Sequence, residues 1–419
     1  MGVLILFLTI VLLPIFFREF RSSARLIVAY WFVIALHFGV AFADTLLFMH
    51  PAGETDSRFF HRDTVSLGQS GNFLFFTNEK LYQSVLGVLY WIFEPSLLLG
   101  SQLSILMFAI SCVILIKILG LLELSRYKVS VILAFGALPS MVFFSSVTLR
   151  ESYQVLFFML ATYFGLRMLI ERNIRVWGIF MVVPALIMGM FHNGLMVFAV
   201  YLIALFMGWN IYSTSGWLVL RREYLLRVFV VLTLILSTIF LTKSQYAELG
   251  ILSSIVNIDI LEQMVVFQSR NSATVTRATY DTFLDSSSPF RIVYTSFVLY
   301  LNGLFAPFPW QVENVRDVVG SLEGILRMVL IGFSLKHLCR AHGVQFRLLL
   351  LMLILFFSMS FMWAMGTTNY GTAMRHNLVS WWILAITGTP LLMERLSRIG
   401  LEAALRRCMH FLRQAKKIY

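Results

Sequence analysis

The sequence predicts an all-α protein that crosses a membrane about eleven times within a single transmembrane domain, residues 1–394. Three observations carry that expectation. Charged residues make up only 13% of the 419, against 59% hydrophobic and a mean hydropathy of +0.82. A soluble domain carries about a quarter charged residues, so most of this chain has lipid around it. Apolar runs long enough to cross the hydrocarbon core, about 17–25 helical residues, recur along the chain. Lys and Arg, finally, gather in alternate connections between those runs.

Residues 2–17 open on Gly-Val-Leu-Ile without a basic leading segment, so they read as a first span and not as a signal peptide. Spans follow at 26–48, 97–120, 129–147 and 152–170. The run 176–212 is interrupted by His192-Asn193-Gly194, which divides it into a hairpin of 176–191 and 194–212. Spans at 225–242, 318–335, 348–366 and 377–394 complete the set. Two further apolar stretches are read differently. Residues 81–93 are too short to cross and rich in aromatic residues that favour the interface. A full crossing at 292–308 would invert everything after it. Both are expected as interfacial or re-entrant segments.

With the N-terminus outside, the cytoplasmic segments hold 21 of the 33 Lys and Arg residues, against ten outside. The net charge of +12 is therefore mainly the signature of topology, and a nucleic-acid partner is not expected. The tail, 395–419, repeats Leu401, Leu405, Cys408 and Leu412 along one helical face with Arg406, Arg407 and Arg413 around the other. It reads as a basic amphipathic helix on the anionic inner leaflet. Cys112, Cys339 and Cys408 are too scattered for a disulfide framework or a zinc site.

Polar chemistry collects on the outer side, in two long loops, 49–96 and 243–317, and at three turns. The first loop places Glu54, Asp56, Arg58, His61, Arg62 and Asp63 just after the second span, a composition suited to acid–base work or donor binding. Arg150-Glu151 stands at the outer end of the fourth span. A charge at the centre of a membrane helix costs about 2.5–3.5 kcal/mol on insertion scales, so charges in or beside spans usually face a partner or a cavity. His192 marks the apex of the hairpin. The second loop carries Arg270, Arg277, Tyr280 and Trp310: guanidinium forks suit a diphosphate, and aromatic rings suit sugar faces or lipid. Asn369, Arg375 and His376 lie in or beside the turn Gly366-Thr-Thr-Asn-Tyr-Gly371, whose glycines permit a tight, backbone-exposed connection. Each of these residues has a plainer reading as a solvated or structural group; their gathering on one side of the membrane is what points to a site. ATP and nucleotide sugars are not available there, and the chain has no Gly-rich phosphate loop.

Three of these segments resemble motifs of known proteins. Asp56-Ser-Arg-Phe-Phe-His61 is similar to the Asp-Ala-x-x-Phe/Tyr-His pattern of bacterial polytopic glycosyltransferases. Pro307-Phe-Pro-Trp310 followed by Ser321-Leu-Glu323, and Asn369-Tyr-Gly-Thr-Ala-Met-Arg375-His376, resemble motifs of the O-antigen and exopolysaccharide polymerases, which share features of the GT-C fold. The likeness runs from about residue 50 to 380 and rests on short motifs in a fixed order. It implies transfer of a glycan from an undecaprenyl-diphosphate carrier to a lipid-linked repeat unit, at the periplasmic face of a bacterial inner membrane. It also implies a chain-length regulator as a partner.

On that resemblance Arg270, Arg277 and Arg375 are diphosphate ligands, and Asp56, His192 or His376 the base. Glu54, Arg58, His61, Arg150, Glu151, Tyr280, Trp310 and Asn369 complete the substrate-binding set. His376-Asn377 departs from the family pattern, because a second Arg is expected soon after the first. No metal or other cofactor is required, since the carrier diphosphate is already a good leaving group. Two other functions compete: a GT-C enzyme adding one sugar from a polyprenyl-phosphate donor, which would admit a divalent cation, and a transporter of lipid-linked glycan. The transporter would favour charges deep in the spans and inverted repeats, and the sequence offers neither.

The charge map makes a testable statement. Single cysteines introduced over 52–80 and 260–285 should react with a membrane-impermeant thiol reagent applied from outside, and cysteines at 340–345 should not. External labelling at 340–345 would overturn the orientation.

Overall fold

The computed structural model of the protein describes residues 1–21, 23–47, 49, 54–73, 75, 81–214, 278–285 and 287–415. The described residues form an all-α bundle. Its helices are α1 (Gly2–Phe16), α2 (Arg18–Arg21), α3 (Ala24–Leu46), α4 (Glu54–Ser70), α5 (Leu81–Ile92), α6 (Leu97–Leu121), α7 (Lys128–Gly136) and α8 (Pro139–Ser145). They continue with α9 (Glu151–Glu171), α10 (Ile174–Met190), α11 (Asn193–Thr214), α12 (Pro289–Phe305), α13 (Val315–Arg340), α14 (Gly343–Met365) and α15 (Tyr370–Ala415).

Six of these are long and apolar enough to cross a membrane: α3, α6, α9, α11 over Asn193–Asn210, α13 and α14. The bent pair of Ser125–Gly136 with Pro139–Ser145 makes a seventh if it counts as one span. The molecule is thus a multi-pass membrane protein with six or seven candidate spans among the described residues, fewer than the eleven read from the sequence. The differences have physical causes. At 15 and 17 residues, α1 and α10 rise only about 22–26 Å at 1.5 Å per residue, short of a core about 30 Å thick. The expected span 129–147 is broken by 68°. Leu138 is extended (ψ 127°) ahead of Pro139, which occupies the first turn of α8. Residues 377–394 belong to the 46-residue α15, which interrupts its apolar run with Thr387, Gly388, Thr389 and Pro390. The expected span at 225–242 lies outside the described residues. The helical hairpin at 176–212 is present and turns at His192, and both short apolar segments are helices, α5 and α12. The tail continues α15 to Ala415.

Prolines and breaks leave backbone groups open, and in a bilayer these must be satisfied by other protein groups. Pro14 has no N–H to give the carbonyl of Ile10; Tyr30 Oη donates to that oxygen instead (2.7 Å), tying α1 to α3. The start of α8 is capped from across the bundle, where the Ser140 N–H donates to Glu323 Oε1 of α13 (2.7 Å). One turn further along α13, Arg327 donates to the Leu304 carbonyl at the end of α12. Asn377 Nδ2 of α15 donates to the neighbouring Gly303 carbonyl (2.6 Å). Glu323 and Arg327 are each only 3% exposed and lie within the candidate span α13. The spans therefore do carry deep charges, contrary to the sequence reading, and the two act as caps for two other helices.

The core is mainly Leu, Ile, Val, Met and Ala, and its largest fully buried side chains include Trp381, Trp382, Phe108, Phe135, Phe158 and Phe206. Backbones approach closely at small residues. A Cβ on Gly388 would sit 2.6 Å from the Leu330 carbonyl oxygen, and beside it Ser334 and Thr387 share a hydrogen bond (2.8 Å) between α13 and α15.

Arg327→Leu should destabilise the detergent-solubilised protein by about 1.5–3 kcal/mol, the usual worth of a hydrogen bond to a charged group. Thermal melting against Lys336→Leu as a control checks this, and an unchanged melting temperature would remove Arg327 from its capping role.

Candidate functional site

Helix ends from five parts of the chain converge on one small polar cavity of about 230 Å³. It is lined by Asp56, Phe59 and Phe60 of α4, Arg150, Glu151 and Gln154 at the start of α9, and His192 at the hinge between α10 and α11. Trp363 near the end of α14, and Arg375 and His376 in the first turns of α15, close it. Six residues singled out from the sequence therefore meet here: Asp56, Arg150, Glu151, His192, Arg375 and His376.

Arg375 organises the cavity. Its Nε donates to Glu151 Oε1 and its Nη1 to Asp56 Oδ2, so a guanidinium side chain only 14% exposed holds carboxylates from two distant segments. The two partners differ. Glu151 is 4% exposed and its second oxygen, Oε2, is buried without a hydrogen-bond partner, whereas Asp56 is 53% exposed. Arg150 gives Nη1 to the Phe191 carbonyl (3.0 Å), but its buried Nε–H finds no acceptor. The indole N–H of Trp363 is likewise buried and unpartnered. The cavity thus presents two spare donors and one spare carboxylate oxygen. Other buried polar atoms of the bundle also lack partners, such as Gln102 Oε1 and Thr389 Oγ1; these three differ in belonging to residues that line one polar cavity.

The hydrogen bonds assign the histidine tautomers. Gly194 N–H donates to His192 Nδ1 (3.1 Å), so the proton of the neutral ring is on Nε2. Burial, reinforced by the nearby positive charges of Arg150 and Arg375, pushes the His192 pKa down to about 3, and the ring is neutral at physiological pH. His376 has the opposite arrangement. Thr367 Oγ1 gives its only proton to the Trp363 carbonyl (2.7 Å), so it accepts from His376 Nδ1 (3.0 Å), and the lone pair of His376 is on Nε2. His376 is stacked on Trp363 (centroids 3.9 Å apart), and His192 meets the same indole edge-on at 4.9 Å. One neutral histidine offers a donor and the other an acceptor, 6.4 Å apart between ring centroids.

The remaining sequence candidates lie elsewhere. His61 Nδ1 is 2.7 Å from Tyr90 Oη, and burial lowers its pKa. Arg58 is exposed on α4. Tyr280 is buried beneath the 366–372 turn, which an antiparallel bridge between Thr279 and Asn369 fastens to the middle of the second long loop. Asn369 Oδ1 accepts from the Thr372 N–H (2.8 Å) and caps α15. Trp310 is 79% exposed and stacked on Phe308 (4.9 Å). The side chain of Glu54, and all of Arg270 and Arg277, lie outside the described residues. Gln154 and Trp363 are cavity residues that the sequence reading missed. Gln154 was recoverable, one helical turn after Glu151; Trp363, in an apolar run, carried no distinguishing signal. Among the described residues no three His, Cys, Asp or Glu side chains are grouped as metal ligands.

The chain matches no known family model, no curated protein and no solved structure.

The depressed pKa of His192 has a signed consequence. A histidine near pKa 3 when folded and about 6.5 when unfolded binds more protons in the unfolded state between those values. Its contribution to stability is complete above the unfolded value and declines as pH falls through that window, by at most about 1.4 kcal/mol per unit. His192→Gln should therefore flatten part of the loss of thermal stability between pH 6.5 and pH 4. Parallel pH profiles for wild type and variant would remove this assignment.

Proposed function

We propose that this protein is a polysaccharide polymerase of bacterial inner membranes, transferring a glycan from an undecaprenyl-diphosphate carrier to a lipid-linked repeat unit on the periplasmic side. The observation that carries the reading is the cavity around Arg375, with its unpartnered Arg150 Nε–H, unpartnered Glu151 oxygen and two neutral histidines of opposite tautomer. The motif resemblance to O-antigen and exopolysaccharide polymerases supports the same class. The full proposal includes a GT-C-like fold of about eleven spans, an outside N-terminus, an inside C-terminus and a chain-length regulator as partner.

The chemistry divides among the cavity residues. An acceptor hydroxyl oxygen attacks the anomeric carbon of the donor sugar, and the bond from that carbon to the carrier diphosphate breaks. The electron pair leaves with the diphosphate, and the hydroxyl proton passes to His376 Nε2, the site of the free lone pair. Arg150 and the Nε2–H of His192 face the charge that develops on the leaving group. Glu151 keeps Arg375 in place, while Asp56, the exposed partner, is the one an incoming anion would displace. Arg270 and Arg277 belong to the same proposed anion-binding set. His192 serves as a donor in this scheme, because Nδ1 is occupied by the Gly194 N–H.

One observation favours a second reading. At about 230 Å³ the cavity is below the usual ligand-pocket range of about 300–1,000 Å³, a size suited to a single sugar ring. A GT-C enzyme adding one sugar from a polyprenyl phosphate, with Asp56 at the rim as base, would fit that volume.

Purified protein supplied only with lipid-linked repeat units should build a ladder of lengths without nucleotide sugar or ATP. His376→Ala should lower the rate by about 10²–10⁴, and Arg150→Ala by about 10²–10³. One addition, and only from a polyprenyl-phosphate sugar, would move the assignment to the second reading. No turnover with either donor would reject both.

A further inference from the structure

Arg375 is the wall of two cavities. Beyond the small polar one lies a second, of about 580 Å³, between α8, the start of α13 and the start of α15. Phe143 and Phe144 of α8 and Tyr370 supply aromatic rings, and Asn369, Thr372 and the exposed backbone of Gly371 supply amide, hydroxyl and peptide groups. Its charges are balanced. Arg316 stands next to Asp317, whose carboxylate also accepts the N–H groups of Glu313 and Asn314 (3.1 and 3.2 Å). Arg375 is already held by Glu151 and Asp56. A diphosphate would find little net positive charge in this cavity.

We propose that this second cavity is the subsite for the acceptor saccharide, a neutral, hydroxyl-rich glycan end that packs on Phe143, Phe144 and Tyr370 and hydrogen-bonds at Asn369, Gly371 and Thr372. The inference rests on the glycosyl-transfer reading above and extends it with the place and chemical class of the second substrate. Aromatic faces match the C–H surfaces of a pyranose, and planar amides and hydroxyls match its rim of hydroxyl groups. The volume lies within the range of larger ligands, about 300–1,000 Å³, so it takes more than one ring where the first cavity does not. The shared wall explains how the two substrates meet: an acceptor hydroxyl extending past Arg375 enters the cavity that holds His376. The Asn369 cap and the bridge to Thr279 give this subsite a fixed floor.

Filling the cavity from two helices tests the proposal. Thr372→Trp on α15 and Val319→Trp on α13 would be compared with wild type in detergent, each first shown to melt normally. Two readouts are taken: glycan transfer as a function of acceptor concentration, and release of carrier diphosphate from lipid-linked donor to water without acceptor. Binding of the delipidated repeat-unit oligosaccharide is measured alongside. Both variants should raise the acceptor KM and weaken oligosaccharide binding by about tenfold or more, with donor hydrolysis held within about twofold. An unchanged acceptor KM and unchanged binding in both variants would overturn the subsite. So would a raised donor KM with an unmoved acceptor KM, which would give the cavity to the carrier lipid. A wild-type protein that binds the oligosaccharide but neither transfers nor hydrolyses donor would reject the polymerase reading while leaving this subsite standing.

Discussion

One guanidinium between two carboxylates is the constraint on which the candidate site depends. Arg375 is only 14% exposed, and a charge that buried is tolerated only when paired and hydrogen-bonded. Glu151 and Asp56 supply both partners from segments more than 200 and 300 residues away in sequence. This three-part contact brings the start of α9, the start of α4 and the start of α15 to one point. Everything else in the cavity is placed relative to it. Arg150 precedes Glu151, His376 follows Arg375, and Trp363 lies under both histidines. The arrangement is also asymmetric: the Glu151 arm is buried and fixed, and the Asp56 arm is open to solvent.

The same physical demand has a different outcome elsewhere in the bundle. Glu323 and Arg327 are as deeply buried as any charge in the site, yet each is turned to a broken helix end. Proline and the bend between α7 and α8 create open N–H and C=O groups that lipid cannot satisfy, and charged side chains of α13 close them. Buried charge in this molecule therefore has two uses. Where its hydrogen bonds end on backbone it maintains irregular structure. Where it lines the polar cavity, a ligand has something to meet. Glu323 Oε2 and Glu151 Oε2 are both buried without a partner, but only the Glu151 oxygen lies at a polar cavity, beside Arg150 Nε.

Composition made the membrane class legible, because a chain with 13% charged residues has few other options. The hairpin at His192 was legible from a three-residue polar interruption. The number of spans was harder to read, since hydropathy measures length and apolarity but not continuity. The same apolar stretch is one helix or two depending on a proline at 139, and a run at 377–394 is hidden within a longer helix whose polar positions pack against α13. Asp56, Arg150, Glu151, His192, Arg375 and His376 could be nominated because each is a polar residue at the end of an apolar run, where the cost of its position demands a reason. Their pairing could not be read: nothing local to residue 375 says that its partners are at 56 and 151. The histidine tautomers required hydrogen-bond partners, Gly194 and Thr367, that carry no sequence signal. Trp363 belongs to the cavity only because α14 ends there.

A double-mutant cycle on Arg375 and Glu151 tests the central claim most directly, read as unfolding stability in detergent for Arg375→Met, Glu151→Gln and the pair. Arg375→Met strands the buried Glu151 carboxylate, whereas Glu151→Gln leaves Arg375 with Asp56 as its one charged partner; combining the changes removes the stranded carboxylate. The account predicts strong non-additivity, with the double variant less damaged than the sum of the singles by about 0.5–3 kcal/mol. Additive losses would mean that the two side chains do not meet, and the site described around Arg375 would not exist in the folded protein.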